Sequence, residues 1–323
     1  MKKNFTLLVL LGAVACMPDV PDSMQNMPSS VSTIRVCSFN IAFLGLYTRK
    51  DNEAVASVLA PCDIALIQEL TAPPEDVVYP DGDSDAADAE ARAFFSEMAA
   101  LGFSYWLSEE DTGPGDSLHS AGSDTEWWTV FYRDDVVTPQ FGSLAGFIDE
   151  PHAAHDVFAR VPYAFRFEIV GMALPVMFLN VHLAAGADAT VARADEFAFM
   201  FQWIAGAIPP DEAVFIVGDM NLSGAAELAS VLSENWTSLN AQCEKTNTAS
   251  SHECYDHVIF DTSKQTSVVV IGSFEVIDLV DEMRVFWDVS LGPYVGDPYV
   301  HDEFLQYYSD HRPISFEFSV ERL

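Results

Sequence analysis

The sequence predicts a layered α/β fold, and three observations carry the prediction. Short apolar, β-branched runs recur along the chain, and the sharpest, Val214 to Asn221, stops on Asp219 and Asn221 once Gly218 frees the backbone to turn. Segments with apolar residues at helical spacing lie between such runs, so strands and helices alternate along the chain. With 50% hydrophobic and 12% aromatic residues in 323, the chain can bury a large core. The roughly 290 residues beyond the N-terminus suit one large domain or two small ones.

The N-terminus stands outside that fold. Lys2 and Lys3, the apolar run Phe5 to Val14 and small residues up to Cys16 read as an export signal over residues 1–15, too short to span a bilayer. Ala13-Val14-Ala15-Cys16 resembles the bacterial lipobox, which implies lipidation of Cys16 and a cell-envelope protein anchored to the membrane, facing the periplasm or the cell surface. Simple cleavage would instead leave a secreted protein with Cys16 an ordinary residue. Residues 16–33, rich in Pro, Ser, Asp and Met, read as a tether, and 34–321 as the folded domain.

In chain order, Ile34 to Asn40 is a strand ending on Asn40, followed by a turn at Gly45 and a helix from Asn52 to Leu59. Asp63 to Leu70 is a second apolar strand, exiting on Glu69. A buried unpaired carboxylate is costly, so Glu69 must face solvent, a cation or a metal. Thr71 to Ser123 is the least regular stretch, although Phe94, Phe95, Met98 and Leu101 predict a helix over Ala86 to Leu101. The acidic cluster Asp81, Asp83, Asp85 and Asp88 lacks the EF-hand pattern, with Ala86 at the glycine position and Arg92 at the glutamate position; it reads as a solvated loop, with structural Ca²⁺ the alternative. Strands follow at Glu126 to Arg133, Tyr163 to Ile169 and Val176 to Leu183, where alternation puts Asn180 and His182 on one face. Such a histidine is either a core residue or a catalyst. Thr190 to Ala207 is helical through Phe197, Met200, Phe201 and Ile204, and a short helix spans Ala225 to Leu232. Tyr255 to Phe260 and Val268 to Ile271 are strands, Asp278 to Tyr308 is loop with one or two helical turns, and Ile314 to Val320 is the alternating last strand.

The formal charge of −34, from 49 acidic against 15 basic residues, opposes long-range attraction of DNA, RNA or an anionic membrane. It suggests a cation partner or a salty medium that screens self-repulsion. Export permits disulfides. Cys243 and Cys254, close in sequence around a polar loop, are expected to bridge, whereas Cys37 and Cys62, in or beside apolar runs, read equally as buried thiols.

The polar exits form an ordered set: Ser-Phe-Asn40, Gln-Glu69, Asn-Val-His182, Gly-Asp219-Met-Asn221, Tyr-Asp256-His and Ser-Asp310-His311-Arg-Pro. From about Ile34 to Val320 this set resembles the endonuclease/exonuclease/phosphatase superfamily. Glu126 seven residues before Arg133, Arg160 one before Val-Pro, and Cys254 directly before Tyr-Asp256 are similar to the deoxyribonuclease I branch. The resemblance implies a four-layered α/β sandwich, two mixed sheets face to face with helices outside, and a site where the strand ends of both sheets converge.

Phosphate esters resist hydrolysis because their anionic oxygens repel hydroxide, so a site needs a hard cation, a base for water and stabilisation of the leaving oxygen. The resemblance implies Glu69 as the principal ligand of Mg²⁺, or Mn²⁺ in its place, with Asn40 beside it and Asp310 supporting the metal or the His311 turn. Asp219 and Asn221 would complete the metal site or orient phosphate and water. His311, oriented by Asp256, would be the general base, and His182, paired with Glu126, the general acid. Arg133, Arg160 and Arg312 are candidate phosphate contacts by their forked donors, with Asn180 a further candidate. The expected protein is a monomeric, surface-tethered nuclease acting on nucleic acid. A phosphatase or sphingomyelinase-like lipid phosphodiesterase is the alternative on the same scaffold, and a binding module with a dead site the non-enzymatic one.

Overall fold

The computed structural model describes residues 31–80, 82–112, 125–149, 157–172, 175–264 and 268–321. The export signal, Cys16 and nearly all of the tether, as well as Asp81, lie outside the described residues. The elements run β1 (Val31–Leu44), α1 (Asn52–Leu59), β2 (Ile64–Leu70), β3 (Val77–Val78), β4 (Ser84–Asp85), α2 (Ala89–Ala100), β5 (Ser104–Asp111), β6 (Trp127–Tyr132), β7 (Val137–Pro139), β8 (Gly146–Phe147) and β9 (Tyr163–Ile169). They continue β10 (Pro175–His182), α3 (Thr190–Ala207), β11 (Ala213–Asp219), α4 (Ala225–Val231), β12 (Trp236–Ser238), β13 (Asp256–Asp261), β14 (Val268–Val276), α5 (Leu279–Glu282), α6 (His301–Tyr307) and β15 (Ile314–Glu321).

Each half of the chain builds a strand–helix–strand unit, and each unit seeds one sheet. β1 and β2 pair in parallel across α1, and β10 and β11 pair in parallel across α3. Antiparallel strands extend the first pair to the order β14-β15-β1-β2-β6-β5 and the second to β12-β13-β11-β10-β9-β7. Three apolar layers follow from strand alternation. Val36, Leu66 and Phe316 of the first sheet meet Phe178, Phe215 and Val258 of the second in the middle layer. Phe39, Ile67 and Phe131 point the other way, under α1 and α2, while Leu179 and Ile216 pack beneath Phe197 and Met200 of α3. The central strands are apolar on both faces because both are covered, which is why they read as continuous runs. Helices, sheet, sheet and helices make the four layers that the resemblance implied.

Local differences from the sequence reading have local causes. The second helix begins at Ala89, because the Asp88 carboxylate accepts from the N–H groups of Glu90 and Ala91 as its N-cap. Asp85 likewise accepts from Ala86 N–H through one of its oxygens. β5 lay hidden in the irregular stretch because its register with β6 shifts between Leu107 and Asp111. Ser108 repairs the shift, accepting from Trp128 N–H and donating to the Glu110 carbonyl. Cys243 and Cys254 are bridged as expected, and Cys37 and Cys62 form a second disulfide tying β1 to the turn before β2.

Candidate active site

Strand direction assembles the site. β1, β2, β10 and β11 end at one edge of the sandwich, and β6, β13 and β15, antiparallel to their neighbours, begin there. Within the second sheet His182, Asp219 and Asp256 lie directly opposite one another in register, so all three project from the inner face that carries Phe178, Val217 and Val258. Gly218 allows this pairing: a β-carbon there would lie 2.1 Å from the Val181 carbonyl oxygen. In the first sheet Asn40 follows the same alternation, but Glu69 does not. Gln68 faces the other sheet, so a regular strand would turn Glu69 outward. Its left-handed backbone, φ 60°, and the register shift between Ile67 and Leu70 break the alternation and bring the carboxylate to the edge.

Asn40 Nδ2 donates to Glu69 Oε1 at 2.8 Å and to Asp219 Oδ2 at 3.0 Å, while its Oδ1 accepts from Ala42 N–H. Asp219 Oδ2 also lies 3.5 Å from His182 Nε2 and 3.4 Å from His311 Nε2. Each imidazole is backed by a second carboxylate: His182 Nδ1 meets Glu126 at 2.6 Å, and His311 Nδ1 meets Asp256 at 2.9 Å. Arg160 makes a close ion pair with Glu126 at 2.6 Å, without hydrogen-bond alignment at its Nε. Asn221, also in a left-handed conformation, donates its backbone N–H to Asp219 Oδ1 and its amide to the Leu183 carbonyl. Ser309 joins the two sides of the site, donating its hydroxyl to the Asn40 carbonyl and accepting from His311 N–H.

Burial and charge compete at every titratable group here. Burial opposes charge on His311, yet Asp256 and Asp219 outweigh it and hold the ring well above its ordinary range. His182 is raised too, Glu126 and Asp219 overcoming burial and Arg160. Asp219 is buried, but the two rings beside it pull its carboxyl down; burial pushes Glu69 up. Crowded, buried carboxylates of this kind call for a cation.

Glu69, His182 and Asp219 offer ligand atoms within 4.8 Å of one another. Two carboxylates and an imidazole fit Mn²⁺ readily and Mg²⁺ through the oxygens, with water filling the remaining positions. The other two residues expected at the metal, Asn40 and Asp310, are both engaged around this group. Asn40 turns its donor, not its oxygen, toward the carboxylates, which suits holding them. Asp310, expected to support the metal or the His311 turn, acts through its charge on Glu69 and His311, and its carbonyl accepts from Thr248 N–H.

Two candidate phosphate contacts are engaged elsewhere in this structure. Arg133 lies beyond the far end of β6 from Glu126, its guanidinium bonded to the carbonyls of Ala60, Cys62 and Leu101 and stacked on Phe103. Asn180 is wholly buried between the sheets, accepting from Gln68 and donating to the Ile67 carbonyl. Two further supports, Lys50 and Glu196, went unnoticed in the sequence. Lys50 is buried behind Asn40, its ammonium donating to the carbonyls of Ile41 and of Leu305 and Tyr308 at the end of α6. Glu196 of α3 accepts from Ala159 N–H beside Arg160 and from Ala184 N–H just after His182. An acid inside the apolar face of a predicted helix was the one available signal, and only for Glu196.

Two packed mixed sheets with helices outside and carboxylate-backed histidines at one edge define an endonuclease/exonuclease/phosphatase-type fold. Solved structures agree. The human Nocturnin catalytic domain superposes with a TM-score of 0.57 at 14% identity, over 90% of this chain and 97% of that one. TDP2 of D. rerio, complexed with a single-strand DNA product, gives 0.55 at 16% identity over 89% and 99%. A family protein from Bacteroides thetaiotaomicron gives 0.56 at 14% over 90% and 99%. In sequence, the chain is 25% identical over 298 residues to a protein named deoxyribonuclease from Thioalkalivibrio sp. (strain K90mix), covering 89% of this chain and 72% of that one. No protein-family model matches the chain.

Proposed function

We propose that the chain is a divalent-metal-dependent phosphodiester hydrolase, a deoxyribonuclease I-like endonuclease exported and held at the cell envelope through Cys16. The observation that carries this reading is the Asp219 carboxylate lying between two imidazoles, each backed by its own buried carboxylate. Such a pair of rings can take a proton on one side of a phosphodiester and give one on the other. A bound Mg²⁺ or Mn²⁺, held by Glu69 and Asp219, would supply charge neutralisation at the phosphate oxygens, leaving His182 free for proton transfer.

His311 serves as the base. Asp256 fixes the proton on Nδ1, so Nε2 presents its lone pair toward the water that attacks in line. His182 serves as the acid: Glu126 holds its Nδ1 and stabilises the protonated ring until Nε2 delivers its proton to the leaving oxygen. Asn40 holds the Glu69 and Asp219 carboxylates in place, Asp219 and Asn221 orient water and phosphate, and Arg160 neutralises a non-bridging oxygen. The names of the relatives support nucleic acid as the substrate. No helix among the described residues is long and apolar enough to cross a membrane, and both disulfides suit an oxidising compartment.

The test is nicking of plasmid DNA with Mg²⁺ or Mn²⁺, set beside phosphocholine release from sphingomyelin. DNA nicking that EDTA stops, that added metal restores and that His311→Ala abolishes is the expected result. Hydrolysis surviving exhaustive chelation would overturn the metal-dependent reading, and release of phosphocholine without nicking would move the substrate to lipid.

A further inference from the structure

Beside the catalytic turn lies a cavity of about 300 Å³ that the chemistry above leaves unused. Lys245 and Arg312 both line it, in a chain with only 15 basic residues against 49 acidic ones. The two cations are close enough that Arg312, together with burial, lowers the Lys245 ammonium. Like charges brought together at such a place are relieved by an anion. Asp278 and Asp281 also line the cavity, but Asp278 is engaged with the Arg312 guanidinium at 3.1 Å and Asp281 faces Arg284. Arg312 Nε is buried without a hydrogen-bond partner among the described residues, and Lys245 Nζ donates to the Ala249 carbonyl.

The cavity is also wired to the site. Arg312 directly follows His311, and its backbone N–H donates to the Thr246 carbonyl. Asn247 forms a β-bridge with His311, and Thr248 N–H donates to the Asp310 carbonyl. The Thr248 hydroxyl meets Tyr299 OH at 2.8 Å on the cavity wall. The segment 246–248 on the cavity side is thus bonded to the segment 310–312 that carries His311.

We infer that the cavity formed by Lys245, Arg312, Thr248 and Tyr299 is a subsite for a phosphate of the nucleic-acid chain other than the one being cleaved. This rests on the nuclease reading, and it makes the enzyme prefer polynucleotides to small diesters. A phosphate there accepts from Lys245 and from the free face of Arg312, which Asp278 holds in place.

The experiment uses the full chain and two readouts. Binding of a labelled thymidine oligonucleotide is followed by anisotropy in EDTA, where turnover stops. Hydrolysis of the same oligonucleotide is compared with that of bis(p-nitrophenyl) phosphate, a diester too small to span both sites. Lys245→Ala should weaken oligonucleotide binding roughly tenfold, the loss of one charge-assisted contact. It should shift the ratio of the two kcat/KM values toward the small diester by a similar factor and flatten the salt slope by about 0.7. Lys245→Arg should retain most of each. Equal loss on both substrates would mean a purely structural role through the His311 turn and would overturn the subsite, as would no change on either. Lys245-dependent binding without cleavage of any oligonucleotide would keep the subsite and refute the nuclease reading. Cleavage indifferent to Lys245 would do the reverse.

Discussion

Replacing Asp256 by asparagine tests the base assignment with little change in shape. The Asp256 carboxylate is wholly buried and meets His311 Nδ1 at 2.9 Å. A hydrogen bond to a charged group contributes about 1.5–3 kcal/mol, and at about 1.4 kcal/mol per decade its loss from the transition state lowers kcat roughly 10- to 150-fold. The loss grows if the new amide turns its NH₂ toward Nδ1, because the proton then moves to Nε2 and the lone pair needed by the attacking water is gone. The sign of the pH effect is fixed by the causes of the shift. Burial lowers the His311 pKa, and Asp256 heads the charges that raise it, with Asp219 and Asp310 behind. Removing the Asp256 charge therefore moves the acid limb of the kcat profile to lower pH, with a lower plateau. The assay is diester hydrolysis at saturating metal across about pH 5 to 9, the span in which imidazole titrates. Full activity with an unmoved acid limb would refute His311 as the base. A limb moved to higher pH would refute the electrostatic account of the pair.

Two further predictions separate architecture from chemistry. Arg133→Ala removes three bonds to buried-end carbonyls and a stack on Phe103 at 4.2 Å, so it should cost about 2–4 kcal/mol in urea unfolding while kcat stays near wild type; a kcat loss without a stability loss would return Arg133 to the substrate. Burial pushes His257 down to about 4. Because the folded pKa lies below the unfolded one, the stability tied to this neutral ring is whole above about pH 6.5 and is lost as pH falls toward 4, at up to about 1.4 kcal/mol per unit. His257→Gln should flatten that acid flank of the unfolding free energy, and an unchanged flank would show the ring is not buried neutral.

The readable part of the site was the part that strands forced into view. Asn40, Glu69, His182, Asp219 and Asp256 are polar residues at the ends of apolar runs, and a parallel sheet brings such ends to one edge whatever the loops do. Arg133 misled for the opposite reason: its partners Ala60, Cys62 and Leu101 come from separate segments, and a sequence shows a guanidinium without showing what already satisfies it. Asn180 shared its strand face with His182 as alternation requires, yet one step of two residues took it from the edge into the sheet interface, where Gln68 uses its oxygen. The departure of Glu69 from alternation was equally hidden, since no glycine marks its left-handed backbone. Lys50 had no periodic signal at all. Its role arises because the bend after Asn40 and the end of α6 leave carbonyls facing one cavity, a consequence of packing that no local pattern encodes.

The charge of −34 and the proposed polyanionic substrate are reconciled by how the cations are deployed. Arg35 is engaged with Glu275, Arg166 with Glu212, Arg193 with Glu227 and Arg284 with Asp297, and Arg133 with backbone carbonyls. Arg160, Lys245 and Arg312 are left near the site, and two of these already carry a carboxylate partner. Three phosphate contacts at about 0.7 to 0.9 counterions each set a ceiling near −2 to −3 on the slope of log kcat/KM against log salt. The existing pairs with Glu126 and Asp278 hold it below that ceiling. Recognition must then rest on the metal and on short-range donors, which salt screens weakly. Measured with KCl at fixed free Mg²⁺ on a single-stranded oligonucleotide, the slope should be shallower than about −3. A slope twice as steep would mean a phosphate track elsewhere on the molecule and would remove the basis for confining recognition to this edge of the sandwich.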